Sequence, residues 1–422
     1  MTGHFYRFAM LCVFTQMIVA CGGGGSGDSA PAAQVTPPTP MPLAKGERIL
    51  EIDVNQASDN DFAAAFNLAN KIGMQSATLS LDWTLIDIGT NTGVSPTAPI
   101  FQTDPDLNFL AIANACYPNS NTRVSLTLRP ITTLVTNLPD AISTLPFNDA
   151  AVIDRFKALI DFVYTQIPDL NLTSLVIGSE VDLNLTSDSQ RSEYLEFYQS
   201  VSQYARDQYA LLFPARPPLK ISVEVTHRGL LDSATQTYYQ QLNQSSDVIG
   251  VSYYPLQNGM VELPTIVHSD FDSLTALYPG KQLYFYQLGY PSGYYDMAAY
   301  AEYAAGNTSP MIGSSDLMQA DFVGEVFSAW DEHINDIGLI DFTWLNDLSE
   351  AGVAETTADP AFGGTTNPAP EFVEFLRTLG LRTNAGLNGA MPGGSDKAAF
   401  SRLAQEASSR GWNDTGQVFT CL

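Results

Sequence analysis

Eight short apolar runs recur along the chain, and longer stretches of helical periodicity lie between them. The runs are RILEIDVNQ (48–56), SATLSLDW (76–83), RVSLTLRP (123–130), SLVIGSEVD (174–182), LKISVEVTHRG (219–229), DVIGVSYYPL (247–256), QLYFYQLGYPS (282–292) and GLIDFTWLND (338–347). Strand-sized runs alternating with helices are the pattern of βα units around a parallel sheet. Eight of them predict an α/β chain folded as a single (β/α)8 TIM barrel, a size that 422 residues accommodate.

The pattern inside the runs adds a second argument. Leu50, Ile52 and Val54 alternate with Glu51, Asp53 and Asn55; Val124, Leu126 and Leu128 with Ser125, Thr127 and Arg129; Ile221, Val223 and Val225 with Ser222, Glu224 and Thr226. A strand with period two packs its apolar face on the helices and turns its polar face into the barrel. Followed around the ring, this register directs Asp53, Asn55, Asp82, Arg129, Glu180, Glu224, Ser252, Tyr254, Gln287, Trp344 and Asn346 toward one mouth. The C-terminal ends of barrel strands are where such folds place their sites.

The ends of the chain fall outside this pattern. Arg7, the apolar run FAMLCVFTQMIVA and Ala20 before Cys21 have the form of an export signal. The tetrad Ile18, Val19, Ala20, Cys21 resembles the bacterial lipobox. That resemblance implies a signal peptide over 1–20 and a lipidated Cys21 as the mature N-terminus. The Gly/Ser and Pro-rich stretch that follows reads as a tether over 21–45, leaving the barrel at 46–380. Residues 381–422 form a C-terminal appendage with one short helix, for which Trp412 and Cys421 are the expected anchors. The localisation expected is the cell envelope, on a membrane reached through the lipid.

Composition narrows the partners. With 19 Lys+Arg against 45 Asp+Glu, the net charge of −26 repels a phosphate backbone and argues against nucleic acid. Four His, with no HExxH and no paired-Cys pattern, give no metal site, and nothing points to a cofactor. A monomer is expected. Once Cys12 and Cys21 are set aside, Cys116 and Cys421 either form a disulfide in an exported setting or remain as two buried thiols.

Several strand ends carry a resemblance. VIGSEVD looks like the fourth-strand motif of clan A glycoside hydrolases, DVIGVSYYP like the sixth strand of arabinogalactan endo-β-1,4-galactanases, and QLGYPSG like the seventh-strand run of those enzymes and of endo-β-1,3-glucanases. FTWLND matches the eighth strand that contributes a sugar-stacking Trp. The resemblance spans roughly residues 47 to 350. It implies a β-linked polysaccharide or oligosaccharide as partner, Glu180 as acid/base and Gln287 at the position of the nucleophile, with Ser179 where the family carries Asn.

Retaining glycosidases need two carboxyls about 5 to 5.5 Å apart, one to protonate the leaving oxygen and one to attack the anomeric carbon. An amide at the second position is a poor nucleophile and brings no negative charge to an oxocarbenium-like transition state. Ordinary double displacement is therefore expected to fail, although Gln is nearly isosteric with Glu and sugar binding could persist.

Each residue also has a plainer reading. Glu180 could pair with Arg129 inside the barrel, and Glu224 and Asp82 could belong to an interior polar network or act as a substitute base. Trp83, Tyr254 and Tyr290, with Tyr294 and Tyr295, are divided between packing and sugar contact, whereas Trp344 reads as a sugar platform. Three functions stay open at this point: a barrel that binds a β-linked glycan without efficient cleavage, a glycosidase using a different base, and an inert structural lipoprotein.

Overall fold

The structure, a computed structural model, describes residues 42–57, 61–91, 98–257, 260–293, 313–364, 368–384, 394–414 and 416–421. The stretch expected to be a signal peptide and most of the expected tether, with Cys21, lie outside the described residues, as do Tyr294 and Tyr295.

Eight parallel strands close into a barrel. They are β1 (Ile49–Ile52), β2 (Ser76–Asp82), β3 (Arg123–Thr132), β4 (Leu172–Ser179), β5 in two segments (Lys220–Ser222 and Glu224–Thr226), β6 (Ile249–Tyr253), β7 (Leu283–Leu288) and β8 (Ile337–Phe342). Each pairs with its sequence neighbour, and β8 returns to β1 through Ile49↔Leu339 to Ile52↔Phe342. Strand β5 closes the ring while breaking at Val223: its first segment pairs with β4 and its second with β6.

Major helices follow the strands: α1 (Phe62–Ile72), α2 (Phe109–Cys116), α3 (Ala150–Gln166), α4 (Asp188–Leu212), α5 (Gln236–Leu242), α6 (Ile266–Leu277) and α7 (Asp316–Glu332). Helix α4 starts on a capping box, in which Ser187 accepts from the Gln190 amide and the Gln190 side chain reaches back to Ser187 N. Its inner face, Tyr194, Phe197, Tyr198, Val201 and Ala205, is fully buried. Helix α1 stops at Gly73, whose φ of 95° is left-handed; a Cβ there would lie 2.6 Å from Asn413 N, so glycine is required both by the turn and by the chain crossing it.

The alternation seen in the sequence sorts two cores. Outward-facing residues such as Leu50, Leu126, Val225 and Phe285 pack under the helices. Ile49, Val176, Val248, Tyr284, Tyr286 and Leu339 form a second cluster that plugs the lumen. Above the plug, the Thr78 hydroxyl lies 2.7 Å from Glu51 Oε1 and 2.8 Å from Asp341 Oδ2, and Ser125 donates to Glu51 Oε2 across 2.7 Å. One hydroxyl hydrogen cannot serve two carboxylates, so one of the two acids carries a proton; burial pushes both upward.

After β8 come α8 (Glu350–Ala358), α9 (Pro370–Thr378) and α10 (Ala398–Arg410). The C-terminal segment is tied in at several places. Lys397 and Asp347, both buried, pair at 2.7 Å. Trp412 stacks on Trp330 with 5.1 Å between ring centroids and donates to Gln75 across 2.9 Å. Phe419 packs on Phe62, Phe66 and Tyr117, and Cys421 is disulfide-bonded to Cys116. Residues 42 to 422 make one compact unit.

Candidate functional site

A cavity of about 790 Å³ opens at the C-terminal ends of the strands. Its polar part is lined by Asp53, Arg129, Thr133, Ser179, Glu180, Glu224, Gln287, Thr343 and Trp344.

Local backbone geometry delivers the central residues. At the end of β4, Gly178 has a φ of 86° and Glu180 a φ of 48°, which breaks the two-residue period and lets Ser179 and Glu180 line the cavity together. In β7 the register against β6 jumps from Val251↔Phe285 to Ser252↔Gln287. This bulge turns Gln287 into the lumen beside Tyr286.

The Glu180 carboxyl accepts from Ser252 Oγ across 2.6 Å and from Thr133 Oγ1 across 3.0 Å. Burial lifts its pKa above the ordinary range, and the nearby Asp182 charge adds to that. Gln287 is held at both ends of its amide. Its Nε2 donates to Ser179 Oγ across 3.2 Å and to Glu224 Oε2 across 3.1 Å, and its Oε1 accepts from Tyr254 OH across 3.0 Å. Ser179 Oγ donates to the same Glu224 oxygen across 2.6 Å. Glu224 Oε1 is buried with no hydrogen-bond partner. Burial, followed by the Glu180 charge, pushes Glu224 up to about 8, so it is mostly neutral at pH 7.

Asp53 lines the cavity and receives a side-chain hydrogen bond from Trp344; burial and then the Glu51 charge raise it to about 7. Trp344 lies half-buried at the cavity wall and follows Thr343 through a cis peptide bond. Arg129 pairs with Asp82 at 2.7 Å, and Asp82 also accepts from Thr132 across 3.0 Å. The pairing of Glu180 with Arg129 weighed from the sequence is thus not the one observed.

Three residues assigned to the site from sequence stand elsewhere. Trp83 is fully buried and meets Phe156 edge-on at 4.9 Å, because β2 ends at Asp82 and the chain turns into a short helix, Trp83–Ile86, that drives the indole into the helix layer. Tyr290 is also fully buried; it stacks on Phe322 at 4.9 Å and donates to Glu262 O across 2.8 Å. Asn346 clasps the ends of β1 and β8, with its N bonded to Asn55 Oδ1 at 2.7 Å and its Nδ2 to Asn55 O at 2.7 Å. All three serve packing and chain closure.

Sequence reasoning also missed contributors. Ser252 was legible as an inward residue, but its role as a donor to Glu180 was not assigned. Thr133 sits in the turn after β3 with a φ of 49°, and nothing in the local pattern marks it. Among the described residues, no group of three His, Cys, Asp or Glu is placed to hold a metal ion.

Comparison with solved structures gives the same parallel-barrel fold. The chain is similar to GH5_18 from Streptomyces cattleya in complex with Manb1-4GlcNAc, at 11% identity and a TM-score of 0.59, over 88% of this chain and 83% of that one. It is similar to Xylanase10C from Cellvibrio japonicus in complex with xylopentaose, at 14% identity and a TM-score of 0.54, over 90% and 69%. A β-glucosidase from Thermotoga maritima matches at 10% identity and a TM-score of 0.50, over 83% and 87%. No protein-family model and no curated protein matches the sequence. The fold is therefore the TIM barrel that these solved structures share, reached at low sequence identity.

Proposed function

We propose that the barrel mouth binds a β-linked saccharide and does not cleave it by retaining double displacement. The observation that carries this reading is the amide of Gln287, bonded through Nε2 to Glu224 and Ser179 and through Oε1 to Tyr254. It occupies the seventh-strand position, is uncharged, and is held in place by neighbours of which Glu224 is itself mostly neutral at pH 7. The mouth thus has an acid in Glu180, a polar surface in Asp53 and Arg129 and an aromatic wall in Trp344, but no anion at the position from which a nucleophile would attack. The motif resemblance makes β-1,4-galactan and β-1,3-glucan the first ligands to try. Lipidation at Cys21 would hold this binding domain at the cell envelope on its Gly/Ser/Pro tether.

The experiment is titration of the full-length protein with galacto- and gluco-oligosaccharides alongside a reducing-end assay. Binding with no product supports the reading; a Glu180-dependent release of reducing ends at neutral pH contradicts it.

A second reading is favoured by one observation: Glu224 lines the same cavity as Glu180, and the two interact electrostatically. With a pKa of about 8, Glu224 could act as a base for water only in alkaline solution. Hydrolysis that rises through pH 8 and is lost in Glu224→Gln would select this alternative.

A further inference from the structure

The cavity does not stop at the barrel wall. Strands β1 and β2 share the single register pair Glu51↔Ser76, whereas β2 and β3 stay paired from Ser76↔Arg123 to Asp82↔Arg129. Above Glu51 the wall parts, and both faces of β2 line the cavity: Thr78 and Ser80 from the lumen, Ala77 and Leu79 from the helix side. Past this slot the lining becomes apolar, with Phe62, Phe109, Ile112, Tyr117 and Phe419. The Cys116–Cys421 disulfide holds the chain end against α2 and so completes the lobe. Phe109 is 47% exposed and also borders a shallow depression with Leu85 and Leu107, so the apolar surface continues outward.

Nothing in the chemistry of the mouth requires this lobe. A binding site normally joins a mostly apolar surface to a few convergent polar groups, and cavities of about 300–1,000 Å³ enclose a drug-sized ligand. Here the two kinds of surface are segregated to the two ends of one cavity. Charge limits the head group further. Arg129, the one cation among the described lining residues, is already paired with Asp82, and the acids Asp53, Glu180 and Glu224 surround the mouth. A phosphate or carboxylate head would find no unpaired cation there, whereas an uncharged sugar needs none and can exchange hydrogen bonds with these acids.

We propose that the ligand is amphipathic: a glycoside whose sugar sits among Glu180, Glu224 and Gln287 and whose alkyl or acyl chain passes between β1 and β2 into the lobe formed by Phe62, Phe109 and Phe419. This rests on the saccharide reading of the mouth and adds the class of its aglycone. Membrane glycolipids and soluble alkyl glycosides share that chemistry.

The test titrates the full-length protein with methyl, butyl and octyl β-glucosides and β-galactosides below their micelle concentrations. Each buried methylene is expected to tighten binding about fourfold until the lobe is filled. Ala63→Trp, at an exposed position lining the lobe, is expected to abolish the gain with chain length and leave the methyl glycoside unchanged; Phe109→Asp repeats the test with charge instead of bulk. If methyl glycosides or oligosaccharides bind and the chain adds nothing, this proposal is overturned while the saccharide reading stands. If octanol binds but no sugar does, the saccharide reading fails and takes this proposal with it. Neutral vesicles with and without glucosyl- or galactosylceramide identify the source: glycolipid-dependent retention marks a membrane glycolipid, and chain-length-dependent binding of octyl glycosides without such retention marks a soluble one.

Discussion

Gln287 Nε2 and Ser179 Oγ both donate to one oxygen of Glu224, across 3.1 and 2.6 Å. The seventh-strand amide and the fifth-strand acid are therefore a single hydrogen-bonded unit. The acid's other oxygen, buried and without a partner, is a place where its proton can reside near neutrality.

That unit has a consequence for stability. Burial lifts Glu224 to about 8 and Asp53 to about 7, and it lifts Asp347 to about 7 in spite of the Lys397 charge beside it. These folded-state values lie above those of an unfolded chain. Between about pH 4 and pH 8 the unfolded chain gives up protons that the folded chain keeps, so stability falls as pH rises through that window. The thermal midpoint is expected to be higher at pH 5 than at pH 8, and Glu224→Gln should narrow the difference by raising the value at pH 8. A midpoint that climbs from pH 5 to pH 8 would argue against buried, protonated acids.

The disulfide invites a separate test. Cys116 and Cys421 are 305 residues apart in sequence, and the bridge holds the segment that places Phe419 among Phe62, Phe66 and Tyr117. Cys421→Ser is expected to destabilise the fold by about 2–5 kcal/mol and to expose Phe419. Urea unfolding of the oxidised protein and the variant measures it; equal midpoints would mean that the bridge does little to hold the tail.

Trp83 and Trp344 should behave oppositely: the sequence leaves Trp83 divided between packing and sugar contact and reads Trp344 as a sugar platform. Trp83→Ala empties a fully buried site and should cost about 3–5 kcal/mol of stability. Trp344→Ala should leave the fold nearly intact and weaken saccharide binding by about 1 kcal/mol or more, since its ring lines the cavity. Paired denaturation and binding measurements separate the two, and the reverse assignment would refute the placement of both rings.

These contrasts show where sequence reasoning reached and where it stopped. The barrel was legible because its apolar runs keep a two-residue period, which brought Glu51, Ser125 and Glu224 inside correctly. The period fails where the chain bulges. In β7, Tyr284 and Tyr286 face the lumen plug, so strict alternation would turn Gln287 outward; the register jump at Tyr286 turns it inward. Trp83 was misplaced for a related reason, since a strand pattern does not announce the helical turn that begins at its last residue. The apolar lobe joins residues near 62, 109 and 419, which become neighbours only through tertiary packing.

The most direct measurement is the rate at which Gln287→Glu releases reducing ends from the β-linked oligosaccharides that the wild-type protein binds. A carboxylate there would accept from Tyr254 as the amide oxygen does now, and neutral Glu224 could donate to it. The account predicts that wild type shows little or no turnover and that the variant gains about a hundredfold or more, with the gain lost on adding Glu180→Gln. Wild-type turnover that equals or exceeds that of Gln287→Glu, at unchanged affinity, would contradict it.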